Sequence, residues 1–510
     1  MSNASANSAK TGMQVATGLI LLGSLCRILS YHFSANSGGD AGAHATLTAV
    51  WLQHPAPQVV FDAYPPGHFW LMGLSALAVH DVVTAGRLLS LVLGIASLFF
   101  VWKLARLLYG IWPGLLSLAV FCLYSLHIAY STTSSAEVSY LFFFLVGAYF
   151  FFRSLQGSTV QVRSLAASGV CLSVAESIRY EAWVLFGGLF VILVILLRVR
   201  QDWRQWRDWL APTLVFGITG GAWPLFMMAY SWHGFGDPMY LVTLNRLRVT
   251  SSWTTSSISR SYQLALMPSA LVISLSPLAI AGAVYGLATS FSARLMAAFA
   301  SLTIFFAAIQ AYELYTGGLL ATARYTLTLG TMLALVSGHG LQRIFEQFVP
   351  AKMTWARTAV IGLLFLNLLA VLAASEFPNR YAEKFASVSP RLRYQKRIQV
   401  IGNYLRSRLG PDDAIVIDDY NVESNLIADA AGLPVVPGRR AYLVSNKTAV
   451  TVRDYISAEH PRFLVYANGG TLQRSIELPS ECRGFERIDG VQFHCTFVSQ
   501  VYRVYELTYH

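Results

Sequence analysis

From Ser34 to Trp70 the chain carries Asp40, His44, His54, Asp62 and Tyr64, and not one Lys or Arg. Carboxylates take protons from hydroxyls or orient them, and imidazoles pass protons or bind metals. Asp40 follows Gly38-Gly39 and precedes a helical pattern through Ala45, Leu47, Val50 and Trp51. It therefore reads as a helix N-cap, or as a reactive carboxylate that a helix N-terminus holds ionised; the two roles are compatible. His44, four residues on, falls on the same helix face and suits a metal pair or a hydrogen-bonded dyad. A second acid, Glu137, opens an apolar helix after Ser131-Thr132-Thr133-Ser134-Ser135. A helix dipole favours an acid there, but Glu137 with Asp40 would also serve general-base catalysis, one carboxylate orienting the acceptor or a metal. A divalent cation, if one is bound, would use Asp40, His44 and Glu137; no other cofactor is indicated.

The cations that could answer these acids are arginines. Arg179-Tyr180-Glu181 sits between two apolar segments, Arg246, Arg248 and Arg260 lie in a long polar stretch, and Arg324-Tyr325 begins another apolar run. Arg179 is open to two readings, a local pair with Glu181 or a phosphate ligand. The planar, permanently charged guanidinium suits phosphate oxygens. For Arg246 and Arg248 the alternatives are a shared anionic ligand, lipid headgroups or acids of the C-terminal region.

These residues need elements to hold them, and composition says which kind. Of 510 residues 55% are hydrophobic and 12% charged, about half the charged share of soluble proteins. The net charge of +11 collects at the ends of apolar segments, the positive-inside pattern of a membrane protein, and excludes nucleic-acid binding. Apolar runs long enough to span fall near 13–32, 85–107, 111–130, 138–153, 164–178, 183–199, 209–231, 264–290, 295–312, 325–345 and 357–374, about eleven helices. The segment 67–79 is short for a span and reads as a helix in the outer interface. With the N-terminus cytoplasmic, every inner loop holds a base, and the loop 34–84 lies outside with the C-terminus.

The expected organisation is a disordered cytoplasmic segment over 1–12, an all-α polytopic membrane domain over 13–375 and a small extracytoplasmic α/β domain over 376–510. In the last, 414–417, 463–466 and 501–507 read as strands, and Cys482 and Cys495 are placed to pair if the region lies outside the cytoplasm. A multi-pass protein of the bacterial plasma membrane is the expected setting.

In order and placement, Asp40, the turn Tyr64-Pro65-Pro66, the run AGRLLSLVLGIASLFFVWKLARLLYG (85–110), Glu137, SIRYEAW (177–183), FGDPMY (235–240) and Arg324-Tyr325 resemble the GT-C glycosyltransferases. These are polytopic enzymes that take sugars from polyprenyl-phosphate carriers, and the nearest branch is similar to protein O-mannosyltransferases and lipid A aminoarabinose transferases. The resemblance implies a GT-C fold and an inverting displacement at the anomeric carbon, with a lipid, glycan or protein acceptor. It implies Asp40 as base or acceptor-orienting carboxylate, Glu137 as second acid, and Arg179 and Arg324 at the carrier phosphate; Arg246 and Arg248 are candidates for the same phosphate as outer arginines. His44, Asp62, Tyr64 and Glu181 are further candidates. Many members carry Asp-Glu in the first loop, whereas Ala41 follows Asp40 here. A transporter or flippase of lipid-linked or polar substrates is the alternative; it would gather polar residues and broken helices at the bilayer midplane.

Overall fold

The computed structural model describes residues 3–510 except 35, 37–39, 54, 57–63, 158, 201–205, 251–259, 320–321, 349–361, 363–365, 367–395, 411, 419–423, 434, 437–438, 445–451, 475, 477, 479–481, 483–484 and 500. The helices are α1 (Asn3–Phe33), α2 (Ala41–Gln53), α3 (Gly67–Val79), α4 (Val82–Tyr109), α5 (Ile111–Cys122), α6 (Ser125–Tyr130), α7 (Ala136–Ser154), α8 (Val162–Ile178) and α9 (Glu181–Arg200). They continue as α10 (Trp206–Phe235), α11 (Tyr240–Thr250), α12 (Arg260–Leu275), α13 (Pro277–Thr289), α14 (Arg294–Thr316) and α15 (Leu327–Phe348). The first helix begins at Asn3, inside the segment expected to be disordered.

Among the described residues, six helices are long and apolar enough to cross a membrane, or seven if one bent pair counts as a single span. The protein is a multi-pass membrane protein, but the expected count of about eleven is not what these helices give. Two expected spans are broken. The run 111–130 divides into α5 and α6 at Leu123-Tyr124, and the run 264–290 bends by 110° between α12 and α13. Pro277 has no N–H to continue α12 and instead starts α13, where Ser276, at φ +84°, accepts the N–H of Ala279 at 3.3 Å. The expected span 164–178 is a helix of 17 residues, and the expected span 357–374 lies outside the described residues apart from Gly362 and Leu366.

The C-terminal region adds α16 (Lys396–Arg408), α17 (Ser424–Ala431) and α18 (Val452–Glu459) to seven strands: β1 (Ile415–Ile417), β2 (Val435–Val436), β3 (Arg439–Leu443), β4 (Phe463–Ala467), β5 (Phe485–Ile488), β6 (Val491–Val498) and β7 (Tyr502–Tyr509). They form one sheet in the order β2-β3-β1-β4-β7-β6-β5, with β1 parallel to β3 and β4 and the other pairings antiparallel. Cys482 and Cys495 form a disulfide beside the β5–β6 hairpin. One face of this sheet closes a core with the helical part. Ile401 and Leu405 of α16 and Ile427 of α17 are buried in the same cluster as Ala45 of α2, Met72 of α3 and Val82 of α4. The sheet therefore caps the end of the bundle at which the first loop lies.

Candidate active site

Asp40 stands immediately before α2, and its carbonyl accepts the N–H of His44 at 2.8 Å. It has the backbone place of an N-cap, but its carboxylate turns to Arg324, whose Nη1 lies 2.7 Å from Asp40 Oδ2 and 3.8 Å from Glu137 Oε1. Arg179 Nη1 meets the same Glu137 oxygen at 2.7 Å, and its Nε and Nη2 grip Glu181 at 3.0 and 2.6 Å. The result is one chain of charge, Asp40–Arg324–Glu137–Arg179–Glu181, with both guanidiniums near the ring of Tyr325 at 5.0 and 5.4 Å from its centroid. Three carboxylates face two guanidiniums. The Nε of Arg324 and Oε2 of Glu137 are buried with no partner among the described residues.

Of the two readings of Arg179, the local pair with Glu181 is present, and the same guanidinium also reaches Glu137. Neither Arg179 nor Arg324 is a bare cation. Burial would raise the carboxyl pKa of Asp40, but the charge of Arg324 outweighs it and leaves the pKa below its ordinary value. Asp40 is an anion at neutral pH.

A short segment and several backbone carbonyls hold these acids in register. Residues 131–135, before Glu137, are buried throughout. Arg87 of α4 donates from Nε to Thr132 O at 2.8 Å and from Nη2 to the carbonyls of Tyr31 and Ser34, both at 2.7 Å. Asn36 accepts the N–H of Ser134 at 2.7 Å, and the Ser134 hydroxyl donates to Ala41 O at 2.9 Å. The end of α1, the start of α2 and the start of α7 are thereby tied together, which fixes Asp40 beside Glu137. Gly86 permits the approach of α4, since a Cβ there would lie 2.6 Å from Ser134 Cβ.

Asp40, Arg179 and Glu181 of this network line a cavity of about 400 Å³. Its polar lining includes Asp40, His44, Tyr64, His68, Arg179 and Glu181, and its apolar lining includes Met239, Val242, Phe306, Ile309 and Leu319. The FGDPMY stretch is the turn that aims α11 into it: Gly236 has φ +73°, Asp237 Oδ1 accepts the N–H of Met239 at 2.9 Å, and Phe235 stacks on Tyr240 with centroids 4.2 Å apart. Arg246 lies at the cavity's more open side. Its Nη2 is 3.7 Å from Glu313 Oε2, and its side chain is 51% exposed.

Burial pushes the His44 and His68 imidazoles down to about 4 and about 3, so both are neutral at pH 7. His68 was not singled out by the sequence, because it sits in a stretch that reads as an apolar interface helix. Among the described residues, no three His, Cys, Asp or Glu side chains converge as a metal site, and Arg324 stands between Asp40 and Glu137. Asp62 lies outside the described residues, as does the side chain of Arg248 on α11.

A family model described as dolichyl-phosphate-mannose-protein mannosyltransferase matches residues 63–223, which include Glu137, Arg179 and Glu181 and begin after Asp40. The chain is also similar to the crystal structure of ArnT from Cupriavidus metallidurans bound to undecaprenyl phosphate, with a TM-score of 0.60 at 14% identity over 96% of this chain and 97% of that one. The fold is that of the GT-C glycosyltransferases. A second GT-C structure, the oligosaccharyltransferase AglB from Archaeoglobus fulgidus in complex with an inhibitory peptide and a dolichol-phosphate, matches with a TM-score of 0.51 at 12% identity, covering 90% of this chain and 70% of that one. No curated protein sequence matches the chain.

Proposed function

We propose that the protein is a membrane glycosyltransferase that moves a sugar from a polyprenyl-phosphate donor to a lipid, glycan or protein acceptor at the outer face of a bacterial plasma membrane. The observation that carries this reading is the cavity itself: Asp40, Arg179 and Glu181 of the charge network line it together with the apolar side chains of Met239, Val242 and Phe306. A lipid-linked sugar has the same two halves. The isoprenoid would lie along Met239, Val242 and Phe306, and the sugar would reach Asp40.

In this reading, Asp40 orients the acceptor hydroxyl and takes its proton as the bond to the anomeric carbon forms, while the bond to the carrier phosphate breaks with inversion. Glu137 holds Arg179 and Arg324 at the site. The departing phosphate needs positive charge that is not already neutralised. Arg246 answers that need best, because among the described residues its carboxylate contact is the longer one to Glu313, at 3.7 Å, and it lines the cavity with Met239 and Val242. Arg179 and Arg324 would contribute field more than direct contact. The distribution of bases supports a first loop and C-terminal sheet outside and an N-terminus inside.

Broken helices facing each other, as α5–α6 and α12–α13 do, are a device of transporters. Here the breaks are filled: Tyr124, Ser125, Ser274 and Ser276 are buried, and Ser125 Oγ donates to Ser274 O at 3.3 Å. The test is transfer of labelled sugar from polyprenyl-phosphate donors in membranes, wild type against Asp40→Asn. Full transfer by the variant removes Asp40 from its role. Passage of the donor across the bilayer without a new glycosidic bond puts a transporter in place of the enzyme.

A further inference from the structure

His44 and His68 come from different helices, yet both direct a ring nitrogen at one backbone oxygen. His44 Nδ1 lies 3.3 Å and His68 Nε2 2.9 Å from Ser134 O. A carbonyl only accepts, so both nitrogens carry hydrogen, and this fixes the two tautomers. Ser134 is itself held by Asn36 and Ala41, so the shared acceptor does not drift. The ring centroids are 5.0 Å apart, and the edge of Tyr64 packs on His44 at the same separation. What remains on each neutral ring is a lone pair, at His44 Nε2 and at His68 Nδ1. The latter is buried with no partner among the described residues, although both rings line the cavity beside Asp40. A buried acceptor left unpaired costs free energy that an O–H donor from a ligand would return.

We propose that His44 and His68 form a hydroxyl-reading subsite for the transferred sugar, presenting His44 Nε2 and His68 Nδ1 as paired neutral acceptors one helical turn from Asp40. A sugar ring supplies the O–H donors such a pair needs. An ionised phosphate has only acceptor oxygens and is turned away by the same lone pairs. The pair would therefore set the direction in which the donor lies, sugar toward Asp40 and phosphate toward Arg246. This inference rests on the glycosyltransferase reading.

The experiment uses the full chain, labelled with ¹⁵N-histidine and placed in nanodiscs, with His44→Phe and His68→Phe assigning the signals. The probes are undecaprenyl phosphate linked to mannose, glucose or galactose, and undecaprenyl phosphate alone. The expected result is an Nδ1–H tautomer for His44, an Nε2–H tautomer for His68, and movement of both unprotonated nitrogens with a sugar-linked carrier but not with the bare one. The opposite tautomer in either ring, equal movement with bare carrier, or no movement with any sugar-linked carrier overturns the subsite. Movement without transfer from any of the three carriers keeps the subsite and removes the transferase reading. Where transfer occurs, His44→Phe should raise KM for the donor about tenfold with a smaller effect on kcat, and His44→Gln, which keeps an acceptor, should recover most of it. Equal loss in kcat and KM behaviour for Gln and Phe speaks for packing alone and overturns the proposal.

Discussion

Arginine is buried in two different ways in this molecule. Arg179 and Arg324 are balanced by carboxylates beside a cavity. Arg27 of α1, wholly buried, has no carboxylate partner among the described residues. It donates to Gly23 O at 2.9 Å, Cys122 O at 3.3 Å and Phe121 O at 3.4 Å, and Nη2 lies 2.8 Å from His127 Nδ1. Phe121 and Cys122 end α5, so Arg27 donates to carbonyls at the break before α6, where the regular helical bonding stops. A charge inside a span is costly and signals a role, but the partner tells which role. Carbonyls at a helix end anchor an arginine to the scaffold. Carboxylates can exchange it for a reacting anion or proton.

That contrast can be broken by experiment. Asp40→Asn should lower sugar transfer by about 10²–10⁴-fold while the protein still folds. Arg27→Met should lower the yield of folded protein yet leave transfer per folded molecule within about threefold, since removing an anchor away from the cavity costs stability first. A folded Arg27→Met protein without transfer would erase the distinction. In denaturation measurements, Arg324→Met should cost about 3–5 kcal/mol because it strands Asp40, while Glu137 keeps Arg179, and adding Asp40→Asn should return part of that loss. Arg27→Met should cost less, about 1–3 kcal/mol, because it strands carbonyls and not charges.

Arg87 lies between the two cases: its shortest hydrogen bonds go to carbonyls, but those carbonyls belong to the segments that hold Asp40 and Glu137. Arg87→Ala should therefore reduce kcat about tenfold, with donor KM little changed, because the acids shift relative to each other. A change in KM alone would make Arg87 a binding group. The smallest effect concerns pH. His44 and His68 titrate near 4 and 3 when folded and near 6.5 when unfolded, so below about pH 6.5 the unfolded chain binds more protons. Thermal stability should fall as pH drops from 6.5 toward 4, and that slope should shrink in His44→Gln and His68→Gln. Asp40, whose pKa is depressed, adds stability at neutral pH that is lost only in stronger acid, as pH falls through its folded value.

Much of this arrangement could be read from the chain before any coordinates. The parity of apolar runs brought Asp40, Glu137, Arg179 and Arg324 to one end, and the structure joins those four in one network. The pairing itself was not legible, because a carboxylate and a guanidinium far apart in sequence carry no mutual mark. Arg27 did carry a mark, a charge inside an apolar run, which the count of loop bases passes over. The helix breaks were hidden because composition reports length and not direction: Ser276-Pro277 was a stop signal inside a run apolar enough to mask it. In the sheet, the expected strands near 414–417, 463–466 and 501–507 lie within or beside β1, β4 and β7. The missed hairpin β5–β6 had a local signature in Asp489-Gly490, whose φ values of +50° and +83° belong to a tight primed turn.

The core that Ala45, Met72 and Val82 share with Ile401, Leu405 and Ile427 has a consequence for biogenesis. A ribosome makes α2 early and α17 much later, so the helix behind Asp40 is made with one apolar face uncovered. That face is sealed only when the last segments have emerged. Chains that stop before Lys396 should insert, remain inactive and offer proteases an exposed helix, so that the order of synthesis itself withholds the active site until the protein is whole.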